Sequence, residues 1–346
     1  MEAKITFYKV KRCGLYNQSE SSPIFCNLCE LLSNLEQWAI GKTLAETNVT
    51  RSSVNNAFCT YLADIKSTKS KDSYILVMWN QVPYTDAGVL SLPTNSKVGS
   101  IQHAEANSIK KNTIPGYPTY FWFLPESNIF ASICFNTNIN GRRELESYLK
   151  QFMCQYSKYV VKTIDAVSNT VNITGFSKDP QNEEEVVYKN LPTFESQLYP
   201  ISQNLEILKN RSKEIKKITK KIASTYYEKI KLDYFQKVLE FFSDIKPQDF
   251  SSNKYSIKAE ISISSGLSPD DIQKLYDSWQ EELKIIDSLD YGFSVDGTLY
   301  WFSHGQAKWK GTLELTFTEQ DSFCNIGSLL SEIDDKKNII LSVLKK

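Results

Sequence analysis

Cationic side chains are concentrated in one stretch of this 346-residue chain. Residues 208–231, LKNRSKEIKKITKKIASTYYEKIK, hold nine Lys or Arg against two Glu, a net charge of +7 in a chain whose 40 basic and 40 acidic side chains cancel. Lysine and arginine bind phosphate oxygens through charge-assisted hydrogen bonds, and contacts with the DNA backbone carry no sequence information. The candidate residues for binding double-stranded DNA are Lys209, Arg211, Lys213, Lys216, Lys217, Lys220 and Lys221.

The apolar residues of the same stretch predict that it is a helix. At 100° per residue they fall on one narrow stripe, while the lysines spread over the opposite face. The simplest interpretation of such a helix is a solvated surface. However, only Glu214 interrupts the run 209–221, so neighbouring lysines lack acidic partners one turn away, and their uncompensated repulsion favours an external polyanion. The apolar stripe consists of Leu208, Ile215, Ile218, Ile222 and Tyr226.

The distribution of charge along the chain supports a second interpretation. Residues 1–160 have a net charge of +4 (16 basic, 12 acidic), and residues 232–346 have −7 (12 basic, 19 acidic). Lysines bind carboxylates as well as phosphates, so the basic helix can also dock on an acidic surface of this chain or of a partner subunit. The sequence leaves two hypotheses open, a DNA-binding protein and an interaction or scaffold protein.

Residue types that perform catalysis are sparse or badly spaced. Asp270, Glu282 and Lys284 resemble the carboxylates and lysine of a metal-dependent nuclease, but all lie on one predicted helix. Cys26 and Cys29 form a lone CxxC motif, and neither of the two histidines has a neighbour at metal-ligand spacing. We therefore predict no catalytic residue, no metal site, no cofactor and no small-molecule substrate, with a nuclease as a third, weaker hypothesis.

The elements that must position these residues predict an α+β fold. Short apolar runs indicate buried strands, and apolar residues three or four apart indicate helices. We predict two domains with mixed or antiparallel sheets and segregated helices: residues 1–160, and residues 161–346 with the basic helix 208–231 and an acidic C-terminal part. The predicted strands are 5–10, 74–79, 120–124, 129–135, 160–167, 170–176, 256–264, 294–302 and 311–317, and the other predicted helices are 25–44, 142–156, 234–242, 269–289 and 326–344.

The composition predicts a folded cytoplasmic protein. Hydrophobic residues make up 41% of the chain and aromatic residues 12%, which excludes an intrinsically disordered protein. The N-terminal residues lack the basic and apolar regions of a leader peptide, and no apolar run approaches the length of about 18 residues that indicates a membrane span. The seven cysteines are scattered, as in proteins of a reducing compartment.

Several short segments resemble the RexA family, the cytoplasmic sensors of the Rex phage-exclusion system of lambdoid prophages. The resemblance covers roughly residues 1–225 and preserves the order of the segments. It is carried by 5–9 (ITFYK), 116–121 (GYPTYF), 129–131 (IFA), Leu145, Leu149, Lys209, Lys213, 215–217 (IKK), Lys220 and Ile222.

This resemblance implies an α+β, two-domain, non-enzymatic protein that forms a homodimer and binds DNA without sequence preference. It also implies a role in antiviral defence by abortive infection, in which the sensor relays the presence of phage DNA complexes to a membrane-channel partner similar to RexB. Residues 234–346 have no counterpart in that pattern. In the same context, the second hypothesis describes an interaction subunit of a defence complex whose basic helix docks on an acidic protein surface.

Overall fold

The chain has an α+β fold, which confirms the predicted fold class, and its described residues form three antiparallel sheets. None of the helices described is long and apolar enough to cross a membrane. The predicted helix 234–242 lies outside the described residues. The computed structural model describes residues 1–17, 22–50, 58–82, 90–101, 104–106, 111–135, 139–164, 170–182, 185–199, 202–225, 254–283, 289–305, 307–315 and 323–344.

The strands and helices of these residues are numbered here in chain order. The strands are β1 (Glu2–Gly14), β2 (Thr60–Ser67), β3 (Tyr74–Gln81), β4 (Leu90–Pro93), β5 (Glu105–Ala106), β6 (Thr113–Leu124), β7 (Ile129–Phe135), β8 (Val160–Ile164), β9 (Val171–Phe176), β10 (Thr193–Leu198), β11 (Ile215–Thr225), β12 (Lys254–Ser262), β13 (Leu289–Val295), β14 (Thr298–Trp301) and β15 (Lys308–Thr312). The helices are α1 (Leu28–Ala39), α2 (Arg142–Gln155), α3 (Ser202–Asn210), α4 (Pro269–Glu282), α5 (Ile326–Asp335) and α6 (Lys337–Leu341).

The chain forms two compact units. The first contains Met1–Tyr199 and Ala307–Lys345, and the second contains Pro200–Gln306. In the first unit, β1 pairs with β7 on one side and with both β10 and β15 on the other. The boundaries of these units differ from those of the predicted domains 1–160 and 161–346. The reason is that β10 and β15, which both follow residue 160, pair with β1 in the sheet of the first unit.

The hairpin of β6 and β7 lies in the core of the first unit. It forms over the predicted strands 120–124 and 129–135, whose continuous apolar character reflects burial on both sides of the sheet. Phe123 stacks on Phe130 with ring centroids 5.1 Å apart. The connecting turn ends at Asn128, whose φ of 52° is left-handed and whose N–H donates to the carbonyl of Pro125. Asparagine tolerates this conformation, so the turn stabilises the hairpin register.

Helices α1 and α2 begin at defined capping residues. Asn27 and Glu30 form a reciprocal capping box at the start of α1, which ends at Ala39, earlier than the predicted 25–44. Gly141 precedes α2 with a φ of 62°, and a Cβ atom there would lie 2.7 Å from the side chain of Thr119. Only glycine fits this position, and it fixes the point where α2 leaves the strand.

The second unit contains a four-stranded antiparallel sheet in the order β12-β11-β13-β14. Helix α4 starts as predicted, with Ser268 and Asp271 in a capping box around Pro269. Trp279 of α4 is fully buried, and its indole N–H donates to the carbonyl of Leu289 at 3.0 Å. One side of the sheet is therefore covered by α4, and this side holds the apolar core of the unit.

A buried arginine joins α2 to β10 in the first unit. The Nε of Arg142 donates to Glu146 Oε1 at 3.0 Å and to Ser196 Oγ at 3.1 Å, and its Nη2 donates to the Ser196 carbonyl at 2.6 Å. The guanidinium also lies 5.1 Å from the ring centroid of Tyr8. Because the cation is compensated on several sides, its removal leaves buried acceptors without a donor.

We expect Arg142→Met to lower the free energy of unfolding by about 3 kcal/mol, since the carboxylate of Glu146 is left uncompensated. The measurement is urea unfolding followed by circular dichroism. Lys150→Met on the exposed side of α2 is the control and should change stability by less than about 0.5 kcal/mol. Equal effects of the two substitutions would contradict the structural role of Arg142.

Candidate nucleic-acid interface

The basic segment forms a strand where the sequence predicts a helix. α3 ends at Asn210, a 3-10 turn spans Ser212–Glu214, and β11 follows directly from Ile215. β11 lies between β12 and β13 and pairs with both, so its backbone groups are hydrogen-bonded on two sides. The predicted helix 208–231 is therefore correct for 208–210, the last residues of α3, and wrong for 211–225. Residues 226–231 lie outside the described part of the chain.

A β-bulge explains why the sequence pattern is misleading. The register of β11 against β13 shifts between Ile215 and Lys217, which leaves Lys216 as an extra residue. Ile215 and Ile218 therefore lie on the same side of the sheet although they are three residues apart. A bulged strand thus produces the apolar spacing that normally indicates a helix, and five β-branched residues among the eleven of β11 favour the strand.

The pleat of β11 directs its lysines to two sides of the sheet. Lys220 lies opposite Tyr291 on the side covered by α4, whereas Lys217 and Lys221 lie on the other side, which we call the open face. The open face carries Lys217, Thr219 and Lys221 of β11, Lys258, Glu260 and Ser262 of β12, Asp290, Gly292 and Ser294 of β13, and Leu299 and Trp301 of β14. At its centre Thr219 and Gly292 are buried.

On the covered side, Lys220 belongs to a half-buried cluster. Its Nζ donates to Glu282 Oε1 at 3.1 Å, and the hydroxyl of Tyr291 donates to Glu282 Oε2 at 3.0 Å. Burial lowers the pKa of Lys220, but the contacts with Tyr291 and Glu282 outweigh it and the net pKa is raised. Burial raises the pKa of the Tyr291 hydroxyl. Lys220 therefore ties β11 to the end of α4 and is not an exposed phosphate ligand.

On the open face, Glu260 lies between two lysines. Its carboxylate accepts from Lys217 Nζ at 2.8 Å and forms an ion pair with Lys258 Nζ at 2.5 Å. These two lysines, Lys217 first, lower the pKa of Glu260 to about 2. Glu260 is therefore ionised at neutral pH and neutralises part of the positive charge of the open face.

Arg211 is also paired with acidic side chains. Its Nε donates to Glu214 Oε2 at 2.8 Å, and its guanidinium forms a second ion pair with Asp296, which lies in the turn between β13 and β14. The hydrogen bond with Glu214 and the nearby Asp296 raise the pKa of Arg211. This arginine fixes the connection between α3 and β11 against the hairpin.

Four of the seven candidate residues have no ion pair within the part of the chain that the structure describes. Lys213 is exposed in the 3-10 turn before β11, Lys216 is exposed at the start of β11, and Lys221 is exposed on the open face. Lys209 is half-buried near the end of α3. We call these four the unpaired lysines.

The weaker nuclease hypothesis lacks a shared site. Asp270 and Glu282 lie at opposite ends of α4, about 18 Å apart at 1.5 Å of rise per residue, so one metal ion cannot bind both carboxylates. Lys284 lies outside the described residues, among which no cluster of three or more potential metal ligands occurs. In the CxxC motif, Cys26 is buried and Cys29 is exposed, and both are free thiols.

Sequence reasoning missed three residues of the open face: Lys258, Glu260 and Trp301. Lys258 and Glu260 pair with β11 residues 37 and 41 positions earlier in the chain, and Trp301 pairs with β13, the neighbour of β11. No local pattern specifies these pairings. The alternation in KYSIKAEIS, with Lys258 and Glu260 two residues apart, is a signal of a half-solvated strand that is consistent with their position.

Comparisons with protein-family models, curated proteins and solved structures give no significant match for this chain.

Lys220 and Lys221 test the strand geometry directly, because a helix would place both on its exposed face. We expect Lys220→Met to lower the free energy of unfolding by about 1 kcal/mol, since Glu282 loses its cation, and Lys221→Met to change it by less than about 0.5 kcal/mol. Chemical denaturation of the two variants measures the difference. Indistinguishable stabilities would contradict the assignment of Lys220 to the covered side.

Proposed function

We propose that the chain is a non-enzymatic, sequence-independent DNA-binding sensor in anti-phage defence. The observation that carries the DNA-binding part is the group of unpaired lysines Lys209, Lys213, Lys216 and Lys221, for which the described part of the chain provides no acidic partner. The resemblance to RexA-like sensors supports the defence role. By the same resemblance, we propose a cytoplasmic homodimer that relays its signal to a RexB-like membrane channel.

The chemistry of these cations determines the kind of binding. A lysine ammonium is a compact point charge that neutralises phosphates but does not read base edges as a planar arginine does. The one arginine of the candidate set, Arg211, is held by Glu214 and Asp296. Contacts with the backbone of double-stranded DNA therefore dominate, and they are insensitive to sequence.

A second candidate function, docking on an acidic protein surface, is favoured by the ion pairs within the second unit. Arg211, Lys217 and Lys220 each pair with a carboxylate from the acidic C-terminal part of the chain, namely Asp296, Glu260 and Glu282. These charges are paired within one chain, so the three cations are not available to an external partner. A partner protein would compete for the same four unpaired lysines.

Duplex DNA of random sequence should bind with a salt dependence set by the unpaired lysines. Four neutralised phosphates give a slope of log K against log salt of about −3 to −4, whereas all seven candidate residues would give about −6. Fluorescence anisotropy across a salt series measures the slope. A flat response, or no binding at low salt, contradicts the proposal.

The triple variant Lys213→Gln, Lys216→Gln, Lys221→Gln locates this binding. Each lost phosphate contact reduces the magnitude of the slope by about one, so the variant should retain a slope near −1 and little affinity. The matched control replaces Lys9, Lys11 and Lys150, three exposed lysines of the first unit, with Gln, which removes the same total charge. If both triple variants lose affinity equally, the effect reflects overall charge and not this surface.

Glu260 should act as an internal competitor of DNA. Glu260→Gln releases Lys217 and Lys258 on the open face, so we expect affinity for DNA to rise severalfold and the slope to steepen by one to two, about one per released phosphate ligand. Glu282→Gln changes the net charge identically but releases Lys220 on the covered side, and it should leave DNA affinity unchanged. Equal gains in the two variants would exclude the open face as the binding surface.

A further inference from the structure

Trp301 lies flat on the open face of the second sheet. A Cβ atom at Gly292 would lie 2.9 to 3.0 Å from three atoms of the Trp301 ring, Cε3, Cδ2 and Cζ3, so the ring covers the backbone of the neighbouring strand. Any residue with a side chain at position 292 would push the ring away. The absence of a side chain at Gly292 therefore allows one face of the indole to pack against β13.

The surroundings of the ring differ from those of the buried tryptophans. Trp79, Trp122 and Trp279 each donate their indole N–H to a protein oxygen. Within the described residues Trp301 has no such acceptor, and its side chain is only half-buried. An aromatic ring with an unused N–H and partial exposure is suited to a ligand that stacks on it.

Lysines flank this aromatic row on β11. Trp301 is opposite Gly292, which is opposite Thr219, so the three residues form one cross-strand row. Lys217 and Lys221 lie two residues before and after Thr219 on the same side, about 13 Å apart along the strand. Lys217 is held by Glu260, whereas Lys221 is unpaired, so a stacking surface lies beside one available cation. This arrangement matches a ligand that alternates flat bases with phosphates.

We propose that Trp301 is a stacking platform for an unpaired base and that the open face binds single-stranded nucleic acid, with Lys221 contacting a phosphate. A base in a duplex is already stacked on both sides and cannot reach a ring lying flat on a sheet. The inference rests on the proposed DNA binding and extends it to the class of strand that is preferred.

The test compares an oligothymidine single strand with a duplex of equal length, by anisotropy at one fixed salt concentration. We expect Trp301→Ala to weaken single-strand binding about tenfold and leave duplex binding unchanged, because one stacking contact is lost. Trp301→Phe keeps an aromatic face and should retain most of the affinity. Unfolding curves of both variants establish that they are folded.

A measurement on the unaltered chain covers the case in which Trp301→Ala does not fold. Photocrosslinking of a single strand containing 5-iodouracil should label the peptide that contains Trp301. Labelling elsewhere, or equal losses of single-strand and duplex binding in Trp301→Ala, overturns the stacking inference. If Trp301→Ala binds duplex normally and its affinity for the single strand is unchanged, this inference alone is wrong. If the unaltered chain binds neither the single strand nor the duplex, the proposed function is wrong as well.

Discussion

The pairing of β11 with strands on both of its sides is the interaction on which the second unit depends. A central strand must bury its backbone, so its lysines cannot all point to solvent, and the pleat divides them between the two sides of the sheet. A lysine directed to the covered side requires a carboxylate there, which α4 supplies with Glu282 at its last residue. The position of α4 and the charge of β11 are thus coupled.

The same constraint explains the uneven charge of the chain. The basic segment carries +7, and residues 232–346 carry −7 with 12 basic and 19 acidic side chains. Acidic residues of the latter region, Glu260, Glu282 and Asp296, are the partners of the basic segment in the folded unit. Such pairs are partly exposed and each stabilises the fold only modestly, but without them neighbouring lysines would repel one another across the sheet.

The sequence predicts those elements whose signals are local. The strands 74–79, 120–124 and 129–135 of the first core and the start of the helix at Pro269 depend on residues within a few positions, and the structure confirms these predictions. The prediction of a helix over β11 is wrong, because the bulge at Lys216 gives its apolar residues the spacing of a helix. The residues paired with β11 follow their partners by 29 to 80 positions, so local propensity does not identify them.

The candidate site was predicted only in part, for the same physical reason. A helix exposes its lysines on one face, so the sequence predicts that all seven candidate residues can contact phosphate. In the structure, each of these lysines either forms an ion pair with a carboxylate of the chain or is unpaired, and a carboxylate competes with phosphate for the paired ones. An ion pair such as that of Lys217 and Glu260 stabilises the sheet and weakens polyanion binding by the same contact. Affinity for DNA in such a surface is therefore limited by the charge that the fold itself must neutralise.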